Sequence, residues 1–129
     1  MGLLMNIFTW WNGATYGTRI FSSRNGAKVG TDTLGNVYFE SKKPIDGRTR
    51  RWVIYSGAND ASRVPPEWHG WLHNTTDLIP DDLPPARVWE KPPVPNLTGR
   101  VDAYVPAGAI ARGGHRAAAT GDYEAWSPN

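Results

Sequence analysis

Apolar residues recur at one spacing near the start of the chain and at another further on, and each spacing predicts a different element. Leu3, Leu4, Ile7, Phe8 and Trp11 follow the spacing of one helical face, which predicts a short amphipathic helix over residues 2–11, ended by Gly13 and Gly17. So short a helix is marginal alone in water. It therefore needs a surface: its own domain, a partner or a membrane interface. It carries no Lys or Arg, which argues against a purely electrostatic membrane anchor. Lys28–Leu34 then reads as a strand, Gly35-Asn36 as a two-residue hairpin turn and Val37–Lys42 as the returning strand. Asp46-Gly47 is a second turn signal, and Arg50–Tyr55, rich in β-branched and aromatic residues, reads as a third strand. The expected unit is an antiparallel meander with Val37 and Phe39 on one face and Tyr38 and Glu40 on the other. A sheet this small has few residues with which to cover a face.

Residues 62–73 carry Trp68, Trp71 and Leu72 at helical spacing, with Pro66 and Glu67 suited to a first turn. This predicts a helical turn or two. Beyond Asp77 the periodicity dissolves. Six prolines between Pro80 and Pro95 impose extended or polyproline-like backbone. Residues 96–129 hold no sustained period, yet Leu97, Val101, Tyr104, Val105, Ile110, Tyr123 and Trp126 recur. The pattern describes an arm with anchors. Ordering it costs roughly 1–2 kcal/mol per residue in backbone entropy, so it is mobile alone or held along a partner's surface. The expected fold class is α+β: an N-terminal amphipathic helix, a small three-stranded antiparallel sheet, a short helix and a long extended Pro-rich C-terminal arm. The expected organisation is a docking helix over 1–17, the sheet and short helix over 18–76, and the arm over 77–129.

Composition sharpens this picture. Gly and Pro together supply 25 of the 129 residues, a level that favours irregular structure. The seven tryptophans are scattered too widely for one apolar stripe to collect them. Each buries about 150–250 Å², which at ~25 cal/mol per Å² is an upper bound of about 4–6 kcal/mol. Side chains of that kind in loop-like segments point to burial on another protein. The candidate contact residues are Trp10, Trp11, Arg50, Arg51, Trp68, Trp71, Trp89, Tyr104, Tyr123 and Trp126. Charge is divided along the chain: residues 1–64 hold nine Lys/Arg against four Asp/Glu, and residues 65–129 hold five against eight.

Little in the sequence supports independent catalysis. There is no Cys, which removes disulfides, thiolate metal sites and Cys nucleophiles. His69 and His73 have the spacing of two metal ligands on a helix, but Gly70 stands where a zinc protease needs Glu. Asp81 and Asp82 are adjacent and point apart in extended backbone, a poor arrangement for shared acid–base work. Gly108–Gly113 is followed by Gly114 and His115 and not by the Lys-Ser/Thr of a phosphate loop. Pro92–Pro95 fits only a bare P-x-x-P pattern, and the sequons at Asn74 and Asn96 carry no weight without a secretory signal. The basic, aromatic meander around Arg48, Arg50, Arg51, Trp52 and Tyr55 leaves a nucleic-acid-binding module as a rival reading. No stretch approaches the ~20 apolar residues of a membrane span. The N-terminus has neither the basic region of a signal peptide nor the Arg/Ser-rich character of a mitochondrial presequence.

Several segments together resemble one family. These are Val29–Asp32 with Gly35–Glu40, Arg50–Tyr55, Pro65–His73, Pro95–Gly99 and Tyr123–Pro128, with PPEWHGWLH the most specific. Over roughly residues 19–129 the chain resembles the alpha subcomplex subunit 12 family of NADH:ubiquinone oxidoreductase, respiratory complex I. The resemblance implies a non-catalytic accessory subunit stabilising the peripheral arm near its junction with the membrane arm. Its partners would be core iron–sulfur and quinone-module subunits and other accessory subunits, with lipid contact by the first helix and no nucleic acid. It implies no cofactor on this chain, since FMN, iron–sulfur clusters and quinone belong to partner subunits. A bacterial-type member would lie on the cytoplasmic face of the inner membrane, and a mitochondrial one on the matrix face. A paralogous group acts as an assembly factor. The subunit-like ending at Tyr123–Pro128 favours the permanent subunit.

Overall fold

The computed structural model describes Leu4, Ile7 and residues 13–128. Most of the expected helix over residues 2–11, with Trp10 and Trp11, lies outside the described residues. Leu4 and Ile7 are exposed. The chain divides into two units, Met1–Asn96 and Leu97–Asn129.

The first unit is α+β. Helix α1 covers Tyr16–Asn25, and the Thr15 side chain caps it by accepting from the Thr18 N–H at 3.2 Å. The helix was not evident from the sequence because its residues are polar almost all round. It leads directly into strand β1, Gly26–Thr31, followed by β2, Val37–Ser41, and β3, Arg51–Ile54. The strands pair antiparallel in the order β1-β2-β3, the expected meander. β1 carries a bulge between Lys28 and Gly30, which bends the strand where the core packs on it.

Both turns have identifiable chemistry. At the first, the loop is Thr33-Leu34-Gly35 and not the expected pair Gly35-Asn36. Asp32 N–H donates to Asn36 O, Gly35 N–H donates to Asp32 O, and Gly35 has φ 83°. This is the three-residue hairpin that ends on a left-handed glycine. At the second, Ile45 and Arg48 exchange both backbone hydrogen bonds across Asp46-Gly47, whose φ angles are 52° and 74°. A turn is expected here, and positive φ at both central residues makes it a primed one.

The alternation of the strands sorts the aromatics. Phe39 and Trp52 pair across β2 and β3 with rings 6.0 Å apart and nearly parallel. Phe21 of α1 covers that face at 5.8 Å, and the Trp52 indole N–H donates to Ser22 Oγ at 2.9 Å. On the opposite face Tyr38 is fully buried and stacks on Trp68 of helix α2, Pro66–Leu72, with centroids 4.0 Å apart. Trp71 stands edge-on to both rings. Tyr38, Val64, Trp68 and Trp71 form the buried core, with Val29, Val53, Tyr55, Leu72 and Ile79 packed around it.

α2 starts with Pro66 at its first position, as expected, and ends in a Schellman arrangement. Asn74 has φ 57°, Thr75 N–H donates to Gly70 O, and Asn74 N–H donates to Trp71 O. The stretch after Asp77 is at first tied to this unit, because Ile79 packs on the core and Asn96 N–H donates to Ser62 Oγ. Among its described residues the second unit contains one 3-10 turn, Ile110–Arg112, and an Arg116–Asp122 ion pair. Val101, Tyr104, Ile110, Tyr123 and Trp126 in it are all exposed.

Gly30 is where the core leaves no room. A Cβ there would lie 2.6 Å from the Trp68 ring, whereas one at Gly121 would meet nothing within 4 Å. Gly30→Val should therefore cost about 1–3 kcal/mol by overpacking in urea unfolding, and Gly121→Val should stay within about 0.5 kcal/mol of wild type.

Candidate interaction site

Two polar centres position the surface of the first unit. In the first, Asp32 Oδ1 accepts from the Leu34 and Asn36 N–H groups and Oδ2 accepts from Asn36 Nδ2 and the Tyr38 hydroxyl, all at 2.8–2.9 Å. Asn36 is fully buried. Its Nδ2 also donates to Arg63 O at 3.1 Å, and its Oδ1 accepts from Ser56 N–H at 2.9 Å. One amide thus joins three loops. Burial, reinforced by the Asp32 carboxylate, raises the Tyr38 phenol far above its ordinary pKa of about 10. Burial, with Asp60 nearby, also raises Tyr55.

The second centre is Arg51. Its guanidinium donates to Glu40 Oε1 at 3.2 Å, to Trp71 O at 2.9 Å, to Thr76 O at 3.0 Å and to Asp77 Oδ1 at 2.6 Å. It also lies 4.8 Å from the centre of the Trp71 ring. A planar fork with five donors suits this multiple role, which a Lys could not reproduce. The carbonyls it satisfies belong to the end of α2 and the loop that follows, so it ties β3 to both.

The candidate contact residues fall into distinct settings. Trp68 and Trp71 are buried in the unit's own core, and the Arg51 side chain is almost wholly covered within the unit. The reason is physical: the sheet face they cover is the one holding Tyr38, and α2 is the element available to close it. Arg50 is exposed, and its N–H donates to Ser41 Oγ. Trp89 is 70% exposed beneath Arg87, whose guanidinium lies 5.6 Å from its ring centre. In the second unit Tyr104, Tyr123 and Trp126 are each more than 80% exposed. Trp10 and Trp11 lie outside the described residues.

The sequence reading missed one feature of the first unit. A hollow of about 760 Å³ opens between α1 and the Lys42–Arg50 hairpin, lined by Phe21, Arg24, Asn25, Ser41, Lys42, Lys43, Ile45, Arg50, Arg51 and Trp52. Its lining carries no carboxylate. The signal lay in Lys42-Lys43 and Arg48–Arg51, but α1, the other wall, was not foreseen. Elsewhere the His69 and His73 rings lie 4.2 Å apart. Among the described residues no group of three His, Asp or Glu is placed to hold a metal, and no helix is long and apolar enough to cross a membrane.

The family model for NADH ubiquinone oxidoreductase subunit NDUFA12 matches residues 26–128. The chain belongs to the NDUFA12 family. Among its relatives, the alpha subcomplex subunit 12 of Bos taurus is 44% identical over 95 residues, covering 64% of each chain. The Mus musculus protein of the same name is 39% identical over 104 residues, 68% of this chain and 70% of the mouse protein. The Dictyostelium discoideum protein is 40% identical over 84 residues, 63% of this chain and 60% of that one. The chain therefore spans less than two thirds of the length of the Dictyostelium and bovine relatives. The NDUFA12 match begins at the first residue of β1. It takes in the sheet, α2, both polar centres and the stretch bearing Trp89, Tyr104, Tyr123 and Trp126, and it leaves α1 outside.

Two outcomes test the polar centres. Asn36→Ala strands the Ser56 N–H and Arg63 carbonyl and should cost at least about 2 kcal/mol in chemical denaturation. Tyr38 stays neutral in the fold while the unfolded chain ionises near pH 10. Its contribution is complete below that pH and declines above it. Tyr38→Phe should cost about 1 kcal/mol at pH 7 and flatten part of the loss of stability measured between pH 9 and 11.

Proposed function

We propose that the chain is a non-catalytic accessory subunit of respiratory complex I, the NADH:ubiquinone oxidoreductase, and stabilises its peripheral arm near the junction with the membrane arm. The observation that carries this reading is the family match over residues 26–128. The relatives in cattle and mouse bear the name of an NADH dehydrogenase (ubiquinone) subunit. The geometry supports a structural role. Trp89, Tyr104, Tyr123 and Trp126 stand exposed on backbone without regular elements, and large aromatics on such backbone are the residues that dominate protein interfaces. Prolines between Pro80 and Pro95 narrow the conformations of the free chain and so reduce the entropy lost when this stretch is ordered. The match runs to residue 128, across the ending that favours a permanent subunit over an assembly factor.

In this role redox chemistry and its cofactors belong to partner chains, with core iron–sulfur and quinone-module subunits the surfaces on which the aromatics bury. The chain would sit peripherally on the face of the inner membrane that carries the peripheral arm, the cytoplasmic face in a bacterium.

Two measurements test this. A tagged chain recovered from detergent-solubilised membranes should bring with it, by mass spectrometry, the core subunits of an NADH:ubiquinone oxidoreductase. Recovery of the chain alone overturns the reading. In the second, Trp89→Ala with Trp126→Ala should reduce retention through a salt and detergent wash by tenfold or more, about 1.4 kcal/mol. The unfolding midpoint of the sheet should remain within about 0.5 kcal/mol. Undiminished retention would remove these two side chains from the interface.

A further inference from the structure

The hollow between α1 and the Lys42–Arg50 hairpin is the feature that the fold itself does not use. We propose that it receives an extended acidic segment of a protein partner, one that sets an apolar side chain between flanking carboxylates. This rests on the reading of the chain as a subunit of a larger assembly.

Charge is the first argument. Five cationic side chains line the hollow and no carboxylate does. Two of the five are engaged within the unit. Lys42 Nζ donates to the Arg24 and Ser23 carbonyls at 3.1 and 3.4 Å, capping the negative end of α1. Arg51 is bound to Glu40 and Asp77. The side chains of Arg24, Lys43 and Arg50 are exposed, and no ion pair joins them to an acid among the described residues. Like charges collected around one hollow repel each other, and a carboxylate-bearing partner relieves that repulsion.

Shape and rigidity are the second. The walls are pinned, because Lys42 N–H donates to Asn25 O and Arg50 N–H donates to Ser41 Oγ. The site is therefore formed before anything binds. Its apolar part is Phe21, Ile45 and Trp52; Phe21 and Ile45 are exposed, and Trp52 is half-buried and held by its bond to Ser22. Single-stranded nucleic acid requires a free aromatic face for stacking. The Trp52 ring is covered by Phe39 and abutted by Phe21. A hollow with an apolar lining and a rim of Arg and Lys fits a peptide whose Asp or Glu side chains meet the cations while a neighbouring side chain fills the space.

The test uses the assembled complex recovered with the tagged chain. Carbodiimide treatment joins the Lys43 amine to any carboxylate in contact with it, and peptide mass spectrometry identifies the product. In parallel, acetylation of Lys43 is timed in the complex and in the free chain. The expected result is a cross-link from Lys43 to Asp or Glu of one partner segment, with acetylation slowed severalfold in the complex. Lys43→Glu with Arg50→Glu should cut retention about tenfold at an unchanged unfolding midpoint. Equal acetylation rates in the complex and the free chain overturn the proposal. So does protection of Lys43 in the free chain by phosphatidylglycerol vesicles alone, which would make the site a membrane contact, or by single-stranded RNA alone. If the core subunits accompany the chain yet Lys43 stays open, only this inference fails. If they do not accompany it, the functional reading fails and this one falls with it.

Discussion

The stacking of Trp68 on Tyr38 is the contact on which the first unit depends. The rings lie 4.0 Å apart and nearly parallel, and the approach is possible because β1 presents Gly30 beneath the indole. With so few buried residues, the loss of one ring removes much of the apolar area that offsets chain entropy. The geometry is held on two sides. Asp32 binds the Tyr38 hydroxyl and, through Asn36, the loops at Ser56 and Arg63. Arg51 lies against Trp71 and satisfies carbonyls at the end of α2. A small core thus gains definition from polar groups whose bonding needs are met inside the fold.

The tryptophans divide by setting. Trp68 and Trp71 close one sheet face, and Trp52 sits half-buried on the other beneath Phe21 of α1. Trp89 and Trp126 lie open to solvent on irregular backbone. The first group explains how so short a sheet holds together. The second cannot contribute to that stability, because an exposed ring gains no burial.

Much of this was legible in the residues. β2, β3, the Asp46-Gly47 turn and α2 follow from alternation, turn chemistry and a Pro at a helix start. So does the assignment of Tyr38 and Phe39 to opposite faces. α1 was not legible, because YGTRIFSSRN shows no apolar stripe and owes its place to Thr15 and to packing on Trp52. The turn at Asp32–Gly35 was misplaced by one step, because an aspartate capturing the N–H groups at Leu34 and Asn36 outweighs the bare Gly-Asn signal. The internal roles of Arg51, Trp68 and Trp71 depend on contacts between residues twenty or more positions apart, such as Arg51 with Trp71. Spacing along one segment does not encode these.

A fold this economical leaves two kinds of unfinished surface. Exposed aromatics on proline-rich backbone lose apolar hydration only when another molecule covers them. The exposed cations around the hollow have no ion-pair partner among the described residues. The two surfaces differ in what they demand: the first needs area and shape, the second needs carboxylates. A partner that meets both is more selective than one that meets either, since a mismatch leaves rings in water or charges unpaired.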